Sequence, residues 1–213
     1  MYFHALIPFK PVNSKTRLSK VLDQHEREAF ARAMLDDVIA AVLKSGCSAT
    51  LLCTHPFEHK QALIAVRKEP LNDAINWALS QFHCPALIIM SDIPLVTAGA
   101  LQRMISTAAD MSIVPGRGGG TNAIFLKKPE CFRADYYGAS FLDHMRIAEE
   151  CGFSVEVVDS FRISTDVDEE EDLVEVLIHG KGKSREYLES IGFALSIEEG
   201  RVGVKRNPHK ETL

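Results

Sequence analysis

Ala86-Leu87-Ile88-Ile89-Met90-Ser91-Asp92-Ile93-Pro94-Leu95 is an apolar run that ends abruptly on an acid and a proline. The unbroken stretch Ala86–Met90 has no polar face, which predicts a central strand covered on both sides. Asp92 then falls just past the strand's carboxyl end, and Pro94-Leu95 turns the chain toward a helix that Thr97 can cap. In sheets of this kind ligands bind outside the carboxyl ends of the strands. Asp92 therefore sits where chemistry is expected.

Working outward, strand-like and helix-like periods alternate. Phe3–Pro8 reads as a first buried strand, followed by a basic loop, Lys10–Lys20. A long amphipathic helix over Glu26–Ser45 carries Phe30, Met34, Val38, Ile39 and Val42 at helical spacing, and Gly46 closes it. Further strands are predicted at Ala49–Cys53, Met111–Val114, Ala123–Lys127 and Val155–Val158, with helices at Leu71–Phe82, Ser140–Cys151 and within Asp166–Ile178. The pattern implies an α/β fold, a mostly parallel sheet with helices on both faces. One domain is expected over 1–213, with 181–213 a helix and hairpin extension. The hairpin, Phe193–Ile197 with Arg201–Lys205, is too small to stand alone. It is expected to dock on the body or on a second subunit, the latter giving a homodimer.

Composition narrows the partners. The 213 residues are 46% hydrophobic, enough for a sizeable core, and the net charge of -5 argues against a nucleic-acid binder. No apolar run approaches the roughly 20 residues that span a bilayer, and Met1-Tyr2-Phe3-His4 lacks the basic start of a signal peptide. A cytosolic chain without a membrane partner is expected. Cys47, Cys53, Cys84, Cys131 and Cys151 are scattered, with no Cys-x-x-Cys pair, and read as reduced structural thiols. The histidines show no ligand spacing; His55 and His59 are separated by Pro56, and His144 is read as structural.

Four clusters can carry chemistry. Lys10, Lys15 and Arg17 put three cations in the loop after the first strand, a point-charge and fork combination suited to phosphate. Asp92 can hold a hard cation against a phosphate. Gly116-Arg117-Gly118-Gly119-Gly120-Thr121-Asn122 is either a hairpin connection or a place where backbone amides approach an anion. Ser140 is either a helix cap or a phosphate ligand at a helix start. In Thr165-Asp166-Val167-Asp168, strand-like alternation places Asp166 and Asp168 on one side, as a metal contact or as caps.

Taken in order, Pro8-x-Lys10, Lys15-Thr16-Arg17-Leu18, Leu71-Asn72-x-Ala74, Ser91-Asp92-Ile93-Pro94-Leu95, Gly120-Thr121-Asn122-Ala123, Ser140-Phe141-x-x-His144 and Asp166-Val167-Asp168 resemble the 2-phospho-L-lactate guanylyltransferase family. The resemblance runs from residue 1 to about Asp172. It implies a Rossmann-like GT-A nucleotidyltransferase fold and a GTP donor. The phosphate of 2-phospholactate would attack the α-phosphorus, giving lactyl-2-diphospho-5′-guanosine and pyrophosphate in deazaflavin coenzyme biosynthesis. By position it assigns Lys10, Lys15 and Arg17 to the triphosphate and, with Asp92, to catalysis. It assigns Asn72 to guanine or ribose, and Asp92, Asp166 and Asp168 to Mg²⁺. Thr121, Gly138 and Ser140 would bind the small phosphorylated hydroxy acid. Pro70 and Gly116 depart from the family, which often carries a glycine and an acidic residue there. Phosphoenolpyruvate or 3-phosphoglycerate as acceptor, another GT-A nucleotidyltransferase, and a non-catalytic nucleotide-binding module are the alternatives.

Overall fold

The computed structural model describes residues 3–198 and 200–207. In chain order the elements are β1 (Phe3–Phe9), α1 (Gln24–Lys44), β2 (Cys47–Cys53), β3 (Leu63–Val66), α2 (Leu71–Ser80), β4 (Ala86–Ile89), α3 (Ala98–Ile105), β5 (Met111–Pro115), β6 (Thr121–Leu126), α4 (Ser140–Glu150), β7 (Val155–Val157), α5 (Phe161–Ser164), α6 (Leu173–His179), α7 (Lys183–Ser190), β8 (Phe193–Glu198) and β9 (Arg201–Arg206). Short 3₁₀ turns lie at Thr16–Lys20, Pro129–Cys131 and Glu170–Asp172.

Strands β1 to β7 form one sheet in the order β3-β2-β1-β4-β6-β5-β7. Every neighbouring pair is parallel except the two involving β6, which runs against both β4 and β5. The glycine-rich segment before Thr121 is thus the hairpin connection between β5 and β6, with Gly116 N–H donating to Gly120 O at 2.9 Å. From β1 the chain winds outward to β3, then returns to β4 on the other side of β1. This reversal makes β1/β4 the switch point, with Lys15 following one strand and Asp92 the other.

Alternation along each strand divides the core between two faces. Ala5, Ile7, Leu87 and Ile89 pack with Leu35, Val38 and Ile39 of α1 and Leu101 and Met104 of α3. On the opposite face Leu6, Ile88 and Ile124 pack with Ile75 and Leu79 of α2 and Ile147 and Ala148 of α4. Helix α1 begins earlier than its apolar period suggests, because Asp23 and Glu26 form a capping box that secures the first turn. Thr97 caps α3 as expected. Gly46 adopts φ 93°, the left-handed close for which glycine is suited.

A third cluster fixes the site. Leu18, Leu22, Phe30 and Met34 pack with Val167, Leu173, Val176, Leu188 and Phe193. Leu18 and Val167 are fully buried, and such burial is worth about 2 kcal/mol per side chain. Together they hold the basic loop against the acidic segment. Through Phe193, β8 docks on the body of the same chain, and Arg206 of β9 pairs with Glu26 of α1. The hairpin's far end leaves Leu195, Ile197 and Val202 exposed. Among the described residues no helix is long and apolar enough to cross a membrane.

Candidate active site

Because β1, β2, β3 and β4 are parallel, their carboxyl ends open on one edge, and a cleft of about 450 Å³ lies there. Its walls come from the loop after β1 (Lys10 and Asn13–Arg17), Thr54 after β2, Arg67 and Glu69 after β3, and Met90–Asp92 after β4; Asp168 reaches in from the acidic segment. The loop after β1 is tightly bent, with Asn13 and Lys15 both at φ 51°. Left-handed non-glycine residues cost about 1–3 kcal/mol each and persist where their surroundings hold them. The Asn13 N–H donating to Glu28 Oε1 at 2.7 Å supplies one such hold.

Lys15 is the centre of the charge arrangement. Its Nζ donates to Asp92 Oδ2 at 2.7 Å and to Asp168 Oδ1 at 2.6 Å, with only 10% of its side chain exposed. Burial acts to lower the Lys15 pKa, but the two carboxylates outweigh it and the ammonium's pKa lies above its ordinary value. Arg17, mostly exposed, approaches the other Asp168 oxygen at 3.7 Å. Lys10 lines the cleft, exposed and without an ion pair among the described residues. Val167 N–H donates to Asp92 O at 2.9 Å, which locks the two acidic segments together.

A second polar cluster lies where β6 meets α4. Asp135 N–H donates to His144 Nε2 at 2.9 Å, and His144 Nδ1 lies 2.9 Å from Thr121 Oγ1. A backbone N–H can only donate, so Nε2 is the acceptor, and in the neutral ring Nδ1 carries the proton. Ser140 Oγ also donates to Thr121 Oγ1, at 3.3 Å. Thr121 thus receives two hydrogen bonds, and its own hydroxyl proton is the donor the cluster can offer. Burial pushes the His144 pKa down to about 4, against the opposing influence of Asp135 and Asp143.

Most of the sequence-predicted residues fall into these two groups. Lys10, Lys15, Arg17, Asp92 and Asp168 come together at the cleft, and Thr121 and Ser140 at the neighbouring cluster, with Gly138 at φ 66° in the turn before it. Val167 between Asp166 and Asp168 is buried, but the two acids have different partners: Asp166 meets Asn122 Nδ2 at 3.2 Å, and Asp168 meets Lys15. Asn72 is engaged elsewhere: its amide donates to Asp135 Oδ1 at 2.7 Å and accepts from Tyr136 N–H at 2.8 Å, pinning the 135–136 segment. Ser140 is not the helix cap; Ala139 holds that position without a side-chain bond. Among the described residues no three His, Cys, Asp or Glu side chains are clustered to hold a metal ion.

The guanylyl transferase family described as CofC-like matches residues 3–207. The chain belongs to this family. It is 80% identical to the 2-phospho-L-lactate guanylyltransferase of Methanoculleus marisnigri over all of both chains. It is 68% identical to that of Methanocorpusculum labreanum, covering 97% of this chain and 98% of the relative. Among solved structures, a nucleotide-diphospho-sugar transferase from Desulfovibrio desulfuricans G20 superposes with TM-score 0.72 at 17% identity, covering 88% of this chain and 94% of that one. A nucleotidyl transferase from Methanothermobacter does so with TM-score 0.64 at 12% identity, covering 88% and 98%. The fold is that of the nucleotidyltransferases.

Gly116 has a steric reason to be a glycine in this chain. A Cβ at Gly116 would lie 2.5 Å from Asn122 Oδ1. The Asn122 amide occupies the space that a side chain at 116 would need, and it donates to Ile163 O at 2.9 Å and to Asp166. Sequence reasoning missed Arg67 and Glu69, which face the cleft from behind the unread strand β3.

Proposed function

We propose that this chain is a 2-phospho-L-lactate guanylyltransferase that takes GTP and releases pyrophosphate. The observation that carries the reading is the convergence of Lys15, Asp92 and Asp168 at the switch point of a nucleotidyltransferase sheet. Lys10 and Arg17, which border the same cleft, supply cations for the triphosphate. Thr121, oriented by neutral His144 and Ser140, offers its hydroxyl proton to the phosphorylated acid. Its phosphate is already ionised, so no strong general base is required. In-line transfer of this kind depends on positioning and charge neutralisation.

Mg²⁺ suits the same residues. Asp92 and Asp168 lie close enough to contact one cation together, here the Lys15 ammonium, and both offer the hard oxygens that magnesium prefers. These two carboxylates would hold the ion, which would neutralise charge building on the pyrophosphate. The test is pyrophosphate release with GTP and Mg²⁺, comparing 2-phospho-L-lactate, phosphoenolpyruvate and 3-phosphoglycerate. Release that depends on 2-phospho-L-lactate and prefers it to the other two is the expected result. Equal or better use of another acid would transfer the assignment to that acid, and silence with all three despite GTP binding would favour a binding module.

A homodimer through β8 and β9 belongs to the same proposal. Leu195 and Ile197 lie on one strand face with Phe193, and Val202 pairs opposite Ile197, so the exposed apolar end continues the docked face. Sedimentation should show a dimer that Ile197→Glu converts to monomer. A monomeric parent, or an unaltered dimer in the variant, would refute it.

A further inference from the structure

Arg67 and Glu69 form a charged pair in the cleft that the phosphate chemistry does not use. Arg67 Nη2 lies 2.9 Å from Glu69 Oε1. The guanidinium is braced from behind, stacked 3.9 Å above the Trp77 ring, while its backbone N–H donates to Cys53 O at 2.8 Å. Both side chains line the same cleft as Asp92, together with the apolar Leu52, Leu71 and Ala74. Glu69 remains 46% exposed. The Arg67 Nε–H is buried and has no hydrogen-bond partner, which is costly unless an acceptor arrives to satisfy it.

From this arrangement we propose that Arg67 and Glu69 read the nucleotide base and make the site selective for guanine, an inference that rests on the nucleotidyltransferase reading above. A carboxylate only accepts hydrogen bonds and a guanidinium only donates them. Guanine presents two adjacent donors, N1–H and the 2-amino group, on one edge. It presents two adjacent acceptors, O6 and N7, on the next. Adenine and cytosine instead set a ring-nitrogen acceptor beside their amino group, which a carboxylate repels. Uracil places its single N–H between two carbonyls. Of the four, guanine alone offers a carboxylate two adjacent donors, with two acceptors for a guanidinium on the neighbouring edge. Leu52, Leu71 and Ala74 supply the apolar surface against which a purine ring can lie. The Trp77 brace fixes the guanidinium plane, so Glu69 is held in place before the nucleotide arrives. Such preorganised polar groups reject a base lacking the partner atoms by leaving themselves unpaired.

The chain contains one tryptophan, and it touches Arg67, so its fluorescence reports base binding without any turnover. GTP, ITP and ATP are titrated against the parent chain, Glu69→Ala and Glu69→Gln. ITP differs from GTP only in lacking the 2-amino group. The parent should bind GTP tighter than ITP by on the order of 10- to 100-fold. In Glu69→Ala, GTP affinity should fall to the level of ITP. In Glu69→Gln, which keeps one acceptor oxygen, it should fall part of the way. An unchanged GTP-to-ITP ratio in Glu69→Ala, or no preference in the parent, would overturn the inference. The titration needs no acceptor acid, so loss of guanine preference in Glu69→Ala upholds the base reader even if no acid supports turnover. Turnover with 2-phospho-L-lactate alongside an unchanged ratio would refute the base reader alone.

Discussion

Lys15→Met should lower turnover by on the order of 10²- to 10³-fold, the loss typical when one preorganised charge-stabilising donor is removed. Methionine keeps the length of the side chain and removes the ammonium. Asp92 and Asp168, which both contact Lys15 within 2.7 Å, would then lose the ammonium they share. Breaking a fully buried pair costs about 3–5 kcal/mol. The carboxylates here are 27% and 40% exposed, so water and salt moderate that cost. The fold should therefore survive while the chemistry fails. Asp92→Asn, which removes a carboxylate instead of the cation, should lose turnover to a similar degree and keep most of its GTP affinity. Pyrophosphate release set beside GTP binding for each variant checks this. Near-parental turnover in Lys15→Met would remove Lys15 from the reaction.

The largest effect on stability should come from acid, through His144. The ring is fully buried, and its pKa is pushed down to about 4 from 6.5. Between these values the unfolded chain binds a proton that the native chain refuses, so stability falls as pH is lowered. The His144 contribution is whole above about pH 6.5 and lost as pH falls toward 4. At 1.36 kcal/mol per pKa unit, the loss is on the order of 3 kcal/mol. Urea unfolding of the parent and of His144→Gln between pH 7 and pH 4 checks this. The variant starts less stable but should lose less across the range. Burial also lowers the His4 pKa, an effect common to both proteins that cancels in the difference. Parallel pH profiles would show that His144 does not titrate in this way.

Much of this arrangement was legible because strong periods and strand ends coincide. The Ala86–Ile89 strand is wholly buried and Asp92 follows its carboxyl end, as the apolar run implied. Strand β3 was not legible: Leu-Ile-Ala-Val is short, lies at the sheet edge, and leaves Leu63 mostly exposed, so neither alternation nor continuous burial marks it. Without β3, Arg67 and Glu69 could not be placed at a strand's carboxyl end. The antiparallel course of β6 was hidden for another reason. A fully buried strand has the same apolar signature in either direction, and only its Gly116–Gly120 hairpin betrays the reversal. Asn72 shows a third limit. Its type and place suit a nucleotide contact, yet the side chain bridges Asp135 and Tyr136, which are distant in sequence. The same distance conceals the Ser140–Thr121–His144 cluster, although each residue was noticed separately.

The central claim is that a phosphorylated acid attacks the α-phosphorus of GTP in this cleft. Phosphorus NMR of the parent chain with GTP, Mg²⁺ and 2-phospho-L-lactate tests that bond directly. The account predicts paired doublets from a new asymmetric diphosphate diester, growing in step with pyrophosphate. GDP with inorganic phosphate, and no diester signal, would contradict it.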